Sequence, residues 1–393
     1  MVEEIITALS RIRWLFVIAR NSSFTYKGQA VDVKRVGCEL GVRYVLEGSV
    51  RKAGGRVRIT AQLIDATNDA HLWADRFDGS LEDIFELQDN VASSVAGVIE
   101  PALQAAEIRR SAERPTSDLT VYDLYLRALP LYDSYDTERM SHALDLLGRA
   151  IDRDERYGPA LALAAGCHLQ LDVNEGGTDR QAHRREAVAL ARRALGAAGD
   201  DPGVLGFAAH ALGYFGEEID AAIRLIDRAL TLSPSFARGW RLSGWLRLHA
   251  GNTDAAIEHT ETSLRLSPRD PTRSRSLVVI GIALFINRRF GDAAASLLVA
   301  LEDTPSWAMP YRVFAASYAH MGPLDDARAI IKRLRSITSA VVPSFLPFRN
   351  PEHRELLLSG LRVAAGEVAR DGPTASRRRD LKSRVTGAGD ERK

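Results

Sequence analysis

The sequence of 393 residues has little cysteine and no apolar run long enough to cross a membrane. Its two cysteines, Cys38 and Cys167, are too few and too far apart to form a disulfide scaffold. The longest apolar run, Leu277 to Ile286, has 10 residues, whereas a membrane-spanning helix needs about 20. The first six residues also lack the basic segment that opens a secretory signal. We therefore expect a cytoplasmic protein.

Neither sign of charge is in clear excess. The chain has 52 Lys and Arg against 51 Asp and Glu, a net charge of +1, which argues against a strongly basic nucleic-acid-binding protein. A hydrophobic fraction of 46% and a charged fraction of 26% are typical of proteins with a folded core. Residues 371–393 have no apolar period, and we expect this tail to be disordered.

Sequence motifs for catalysis or cofactor binding are absent. There is no GxxxxGK[ST], GxGxxG, HExxH or CxxC pattern. His249 and His259 flank the turn at Gly251, but two histidines without a third ligand make a poor zinc site. Both cysteines lie in apolar helical patterns, and we interpret them as buried, unreactive thiols. The sequence therefore predicts no catalytic residue, no cofactor and no metal ion.

The first hundred residues have the patterns of an α/β unit. Helical spacing predicts helices over residues 2–10 and 31–40, the second ended by Gly41. The apolar run from Trp14 to Ala19 favours a buried strand, because it is short and rich in β-branched and aromatic residues.

Alternating patterns and turn signals then predict an antiparallel sheet. The expected strands are residues 43–51, 57–63 and 70–77. A long amphipathic helix over residues 81–110, kinked at Pro101, completes the unit.

The rest of the chain has the periodicity of a helical repeat. Pro234 and Pro268 follow two similar segments and are 34 residues apart, which is the tetratricopeptide period. Small residues, which let two helices approach closely, recur with gaps of 34, 37 and 34 residues at Ala222, Ala256, Ala293 and Ala327. We predict about six helix pairs between residues 119 and 339, enough for a stable solenoid.

Several segments resemble a known bacterial protein family. They are LFVIARNSSF from Leu15, YVLEGSVR from Tyr44, HLWADR from His71 and LPFRNP from Leu346. The family is common in rhizobia and joins a class III adenylate/guanylate cyclase domain, or a winged-helix DNA-binding domain, to a TolB-like domain and tetratricopeptide repeats. This chain resembles the C-terminal portion of such proteins over residues 1–366.

The resemblance implies a fold class and a domain organisation. It predicts an α+β N-terminal domain, with a TolB-like three-strand meander and helices, followed by an all-α tetratricopeptide-repeat solenoid. The expected boundaries are residues 1–115 for the first domain, 116–342 for the repeats, 343–370 for a C-terminal closing region and 371–393 for the tail. Family members carry a further strand before the first helix, so we expect the first domain to be truncated at its N-terminus.

The resemblance does not extend to cyclase chemistry, because no residue here matches the metal-binding aspartates or nucleotide-binding motifs of that domain. We predict that the chain is not an enzyme but a regulatory module of an adenylate cyclase-like signalling protein, whose repeats dock a partner protein or peptide. Two alternatives stay open. In the first, the chain is the regulatory half of an adenylate cyclase whose catalytic domain lies upstream. In the second, it is the corresponding part of a winged-helix transcriptional regulator. Homo-oligomerisation also stays open.

One set of residues predicts a partner-binding groove. In arrays of this family, four positions of each first helix line the concave surface. Arginines and apolar side chains occupy them here: Arg238, Arg241, Trp245, Arg275, Ile282, Phe285 and Arg312. Arginines beside aromatic rings suit an acidic or carboxylate-terminated peptide through bidentate pairing. The alternative is a solvated arginine surface, paired with carboxylates of neighbouring helices.

Overall fold

The computed structural model describes residues 1–29, 31–80, 84–115, 119–175, 179–216, 219–268 and 270–367. Within these ranges, one three-stranded antiparallel sheet is followed by a long series of helices. This order confirms the predicted fold class. The tail predicted to be disordered, residues 371–393, lies outside the described residues. No helix in the described ranges is long and apolar enough to span a bilayer.

The N-terminal unit contains three short helices and a sheet. Its elements are α1 (Val2–Leu9), α2 (Arg20–Ser23), a 3₁₀ turn (Phe24–Tyr26), α3 (Val33–Leu40), β1 (Tyr44–Ala53), β2 (Arg56–Asp65) and β3 (Ala70–Ser80). The strands pair in the order β1-β2-β3, so the predicted meander is confirmed. Helix α3 ends at Gly41, whose φ of +65° is the left-handed conformation that favours glycine.

Helix α4 (Ile84–Glu113) covers one face of this sheet. The alternation along β2 places Val57, Ile59 and Leu63 on the covered face, where they pack with Val91 and Val95 of the helix. Burying one such side chain contributes roughly 1.5–3 kcal/mol. The helix continues through the predicted kink position at Pro101 as a single element.

The strand predicted from Trp14 to Ala19 is wrong, because these residues have no regular secondary structure. Leu15 and Val17 are partly buried against the core of the N-terminal unit, whereas Trp14 and Phe16 are exposed. The segment therefore alternates as an extended chain does, without joining the sheet. An apolar pattern reports burial of side chains, but it cannot report whether a partner strand lies beside the backbone.

The repeat array has six helix pairs within the described residues. They are α5 (Val121–Tyr132) with α6 (Thr137–Arg153), α7 (Gly158–Glu175) with α8 (Arg180–Ala198), α9 (Pro202–Phe215) with α10 (Ile219–Leu232), α11 (Ala237–Ala250) with α12 (Thr253–Leu266), α13 (Arg273–Ile286) with α14 (Phe290–Asp303), and α15 (Ala308–Met321) with α16 (Leu324–Arg335). The four periodic alanines are all buried, as the role assigned to them requires.

Two glycines show how closely the paired helices approach. A Cβ atom at Gly281 would lie 2.7 Å from Cγ of Leu297, on the partner helix α14. A Cβ atom at Gly244 would collide with the side chain of Thr260 and lie 3.1 Å from the carbonyl oxygen of Ala256 on α12. Both positions need glycine because the neighbouring helix occupies the space of a side chain.

The turn between α5 and α6 crosses the interior of the array. Oδ1 of Asp133 accepts a 2.6 Å hydrogen bond from Nη1 of Arg275. The backbone carbonyl of Asp133 accepts a second hydrogen bond, from Nη2 of Arg275. Nη2 of Arg238 lies 3.4 Å from Oδ2 of the same carboxylate. Tyr135, with a φ of +55°, stacks on Trp307 with the ring centroids 4.1 Å apart. The first helix pair thereby contacts the fourth, fifth and sixth pairs.

Residues 338–349, which we call the strap, have no regular secondary structure and are followed by α17 (Pro351–Ala365). The strap packs against the C-terminal ends of α9 and α11. The backbone N–H of Arg349 donates to the carbonyl of His249 at 2.8 Å, and the ring of Phe345 packs edge-on against Tyr214. Helix α17 packs on α15, where a Cβ atom at Gly360 would lie 2.8 Å from that of Ala316.

The two thiols differ in their exposure. Cys167 is buried, as predicted, and loss of solvation raises the pKa of its thiol. Cys38 is exposed, so the prediction of a buried thiol is wrong there. Helix α3 contacts the rest of the unit through Gly37, where an added Cβ atom would lie 2.6 Å from that of Ala66. The next residue is rotated by about 100° around the helix, which directs Cys38 to solvent.

We expect Asp133→Ala to lower the free energy of unfolding by about 3 kcal/mol, because it leaves the buried Arg275 without its carboxylate. Chemical denaturation followed by circular dichroism measures the effect. Asp325→Ala is the matched control, since Asp325 is almost fully exposed and pairs with the exposed Arg328. The control should leave the denaturation midpoint unchanged. Equal effects of the two substitutions would contradict a structural role for the Asp133 pair.

Candidate functional site

A cleft of about 490 Å³ lies between the N-terminal unit and the inner surface of the repeat array. One wall comes from residues 11–14 and from α4. The opposite wall comes from α5, α7 and the N-terminal ends of α9 and α11. The helices of this second wall are the first helices of their pairs, which are the helices expected to line the inner surface. The first wall was not indicated by any repeat pattern.

Aromatic side chains line much of the cleft. They are Trp14, Tyr122, Tyr125, Tyr157, Phe207 and Phe236. The rings of Tyr125 and Tyr157 pack edge to face with centroids 6.0 Å apart. Burial raises the pKa of Tyr122 to about 12, so its hydroxyl stays protonated at neutral pH. Rigid rings with a polar tip supply large contact areas at a low entropic cost, as in many protein interfaces.

Four arginines and four carboxylates also line the cleft. They are Arg11, Arg13, Arg109, Arg238, Glu100, Asp133, Asp201 and Asp270. Two of the arginines are already paired, Arg13 with Asp200 and Arg238 with Asp133. The lining is therefore rich in charge but balanced in sign.

Glu100 is the cleft carboxylate most affected by its surroundings. Loss of solvation raises its pKa to about 7, against the opposing effects of the Arg238 charge and a hydrogen bond from the Trp14 indole. Burial also raises the pKa of Asp201, although its carboxylate accepts the backbone N–H of Val204 at 3.0 Å. Glu100 is consequently a group whose charge changes near neutral pH, inside the cleft.

The structure separates the residues of the predicted groove. Arg238 lines the cleft, and Trp245 and Arg312 line a smaller cavity deeper in the array. Arg241, Arg275, Ile282 and Phe285 line neither of these spaces.

The sequence allowed two interpretations of these residues, a partner-binding groove and a solvated surface. Both require that the side chains are exposed. That assumption is wrong for every predicted residue except Arg238, because the others are at most 8% exposed. Arg241 donates to the Thr272 hydroxyl, with Nη1 and Oγ1 3.1 Å apart. Arg312 donates to two backbone carbonyls, at Val173 and Ala340. The inward turn between α5 and α6 and the strap fill the space in which a groove was expected.

The smaller cavity, of about 40 Å³, lies beneath the strap. Polar and aromatic side chains of α7, α9, α11 and α15 line it, among them His210, Tyr214, His249 and Arg312. Loss of solvation lowers the pKa of His210 to about 3 and that of His249 well below its usual value. Both imidazoles are therefore neutral in the folded protein.

Sequence reasoning missed most of the cleft, although one signal was present. Glu100 follows Val98 and Ile99 and precedes Pro101, so an acidic residue interrupts an apolar helical stretch. A buried titratable group of this kind is often part of a functional site. The run that contains Trp14 was explained by burial alone. Whether these residues face a second wall depends on how the two units pack, which no local pattern encodes.

The arrangement has the chemistry of a binding surface. Rings, hydroxyls and balanced charges offer apolar contact and hydrogen bonds along both walls. Among the described residues, no three or more His, Cys, Asp or Glu side chains are grouped so as to hold a metal ion.

The sequence is similar to that of a protein described as Putative adenylate cyclase 3, from Rhizobium meliloti (strain 1021). The two are 40% identical over 200 residues. The match covers 51% of this chain and 34% of that protein, so the chain spans about a third of the relative's length. No protein-family model matches the sequence.

Solved structures of similar fold are tetratricopeptide-repeat proteins. A monomeric IFIT1 mutant solved with Gppp-AAAA matches with a TM-score of 0.50 and 14% identity, covering 78% of this chain and 66% of that one. The Cut9–Hcn1 structure of the APC/C matches with a TM-score of 0.44 and 14% identity, covering 71% of this chain and 49% of that one. At these identities the likeness concerns the fold alone.

We expect the protein to lose stability as the pH falls from 7 to 5. His210 and His249 stay neutral when folded but take up protons below about pH 6.5 when unfolded. Acid therefore favours the unfolded state, by roughly 2 kcal/mol per histidine over this interval. Urea denaturation at both pH values measures the change.

Two variants separate this effect from general acid sensitivity. His210→Gln should reduce the loss by about 2 kcal/mol, the contribution of one buried imidazole. His142→Gln is the control, because His142 is exposed on α6 and should leave the pH dependence as it is. An unchanged pH dependence in His210→Gln would contradict the assignment.

Proposed function

We propose that the chain is a regulatory, protein-binding module of a bacterial adenylate cyclase-like signalling protein. A partner protein or peptide binds in the cleft between the N-terminal unit and the repeats, and the chain itself catalyses no reaction. The proposal rests on the cleft, because the cleft is large, is lined by aromatic side chains and has walls from both structural units. The cytoplasm is the compartment we assign to it.

The two walls give the cleft a means of coupling. Residues 11–14 and α4 belong to the N-terminal unit, whereas α5, α7, α9 and α11 belong to the array. A segment bound between them contacts both units and therefore favours one relative arrangement over others. A ligand shifts an equilibrium between arrangements by the difference in its affinity for them. Binding in the cleft would thus change the geometry that the N-terminal unit presents to the rest of a signalling protein.

The lining indicates the chemistry of the partner. A peptide with an aromatic or aliphatic anchor and polar flanks suits rings interspersed with four arginines and four carboxyl groups. Exclusively acidic peptides have no advantage in this lining. A nucleic acid, such as the Gppp-AAAA of the IFIT1 structure, would need a clear excess of positive charge along its path.

The relative from Rhizobium meliloti supports the signalling context. That protein is described as an adenylate cyclase, and this chain matches about a third of its length. A regulatory half of an adenylate cyclase is therefore the alternative with a specific observation behind it. A place in a winged-helix transcriptional regulator remains the second alternative and has no such observation.

Site-specific photocrosslinking tests the cleft as the docking site. A photoreactive phenylalanine analogue replaces Gln104, which lines the cleft on α4, in the native bacterium. We expect a discrete adduct, which mass spectrometry identifies. The same analogue at Ala189, an exposed position on α8, is the matched control and should not give this adduct. Identical adducts at both positions would exclude the cleft as the specific site.

A cleft-filling variant gives an independent check. Ala105→Trp places an indole in the cleft and should weaken partner binding at least tenfold, whereas Ala189→Trp should leave it unchanged. Thermal unfolding of both variants shows whether the fold is retained. Equal partner binding by both variants would argue against the proposal.

We expect the purified chain to form no cyclic AMP from ATP with Mg²⁺ or Mn²⁺. An active adenylate cyclase in the same buffers is the positive control for the assay. Cyclic AMP formation that copurifies with the chain through successive columns would overturn the non-catalytic assignment.

A further inference from the structure

Arg312 is a buried cation without a carboxylate partner. It lies on α15 and is 1% exposed. Nη1 donates to the carbonyl of Val173 at 2.9 Å, and Nη2 donates to the carbonyl of Ala340 in the strap at 2.7 Å. No carboxylate of the described residues forms an ion pair with it, and loss of solvation lowers its pKa to about 10. At neutral pH the guanidinium is still charged, and a buried charge without a counter-charge is strongly unfavourable.

The Nε–H group of Arg312 has no acceptor among the described residues. Nε of Arg312 and Nε1 of Trp307 are both buried and have no hydrogen-bond partner in the part of the chain that the structure describes, and both residues line the cavity beneath the strap. Trp307 is 2% exposed and is held by its stack on Tyr135. Two residues that carry buried donors, one of them cationic, therefore line one space. Buried donors left without acceptors are rare in folded proteins and call for an explanation.

Other charged and titratable groups around the cavity leave the positive charge uncompensated. Asp172 also lines it, but its carboxylate accepts a 2.6 Å bond from the Tyr214 hydroxyl and lies 3.4 Å from Nη1 of Arg180. His210 and His249 are neutral. Gln170 also lines the cavity, and none of the described residues donates a hydrogen bond to its Oε1 atom.

We propose that this cavity binds a small monovalent anion, which accepts hydrogen bonds from Nε–H of Arg312 and Nε1–H of Trp307. The anion supplies the missing counter-charge to Arg312. The site is separate from the cleft and does not depend on the function proposed for it.

The size of the cavity restricts the anion. About 40 Å³ has room for roughly three water molecules, and hence for chloride, bromide, nitrate or formate. Apolar rings of Trp245, Phe345 and Phe348 form much of the remaining lining, which favours a weakly hydrated anion over a phosphate. Larger carboxylates and phosphate esters would displace the strap.

Anion binding would hold the strap in place. Arg312 connects α7, through Val173, to the strap, through Ala340. Neutralising the guanidinium removes the penalty of keeping it buried at this junction. The closed arrangement of the strap should therefore depend on the anion.

Thermal unfolding of the full chain at constant ionic strength tests the proposal. We expect bromide, chloride, nitrate or formate to raise Tm by about 2 °C or more over sodium gluconate, whose anion is too large to enter. Diffraction from crystals grown with bromide should show an anomalous peak between Arg312 and Trp307. Water alone at this position, or a Tm that is the same in all these salts, would overturn the proposal.

Three variants keep the test independent of folding. Trp307→Phe keeps a ring against Tyr135 but removes the N–H donor, and should weaken the apparent anion affinity at least threefold. Arg312→Met removes the charge and should abolish the anion dependence, while losing less stability in gluconate than in bromide. Arg328→Met, on the exposed face of α16, should retain the full anion dependence. An Arg312→Met protein that folds and keeps the same anion dependence would also refute the site.

Discussion

The shape of the repeat array depends on the contacts of one partly buried carboxylate, that of Asp133. It lies on the turn of the first helix pair and is held by Arg275 of the fifth pair and Arg238 of the fourth. Loss of solvation would by itself raise the pKa of this carboxyl, but the two guanidinium groups hold it below its usual value. Helix pairs far apart in sequence are therefore joined by one ion-pair cluster. The array closes around its own first turn instead of presenting an open inner surface.

This closure explains why Arg241, Arg275 and Arg312 are buried and do not line an open groove. Arg275 compensates Asp133, and Arg241 and Arg312 bind a hydroxyl and backbone carbonyls of the same chain. Such side chains contribute to a unique interior arrangement, because each requires a specific partner. The cleft, which stays open, lies toward the N-terminal unit, where Trp14 and α4 face the first helices of the array.

The cleft and the cavity beneath the strap differ in chemistry as well as in place. The cleft is large, has charges of both signs and contains Glu100, whose pKa of about 7 makes its charge sensitive to conditions near neutrality. The cavity is small, and its guanidinium, Arg312, forms no ion pair with a carboxylate of the described residues. The α5–α6 turn separates the two spaces, since Asp133 faces the cleft while Tyr135 stacks on Trp307 at the cavity. Binding in either space would therefore alter the surroundings of this shared turn.

The sequence by itself determined the repeating and locally patterned parts of the protein. Alternation along residues 57–63 identified β2, and the 34-residue spacing of Pro234 and Pro268 identified the helix pairs, because both patterns follow from burying one face of a regular element. Only the tertiary structure decided that Trp14 to Ala19 stays unpaired, that Cys38 faces solvent and that Arg241 and Arg312 are buried. Local periodicity shows which face of an element is covered. It does not show what covers it, because that depends on contacts such as Asp133 with Arg275, which join residues 142 positions apart.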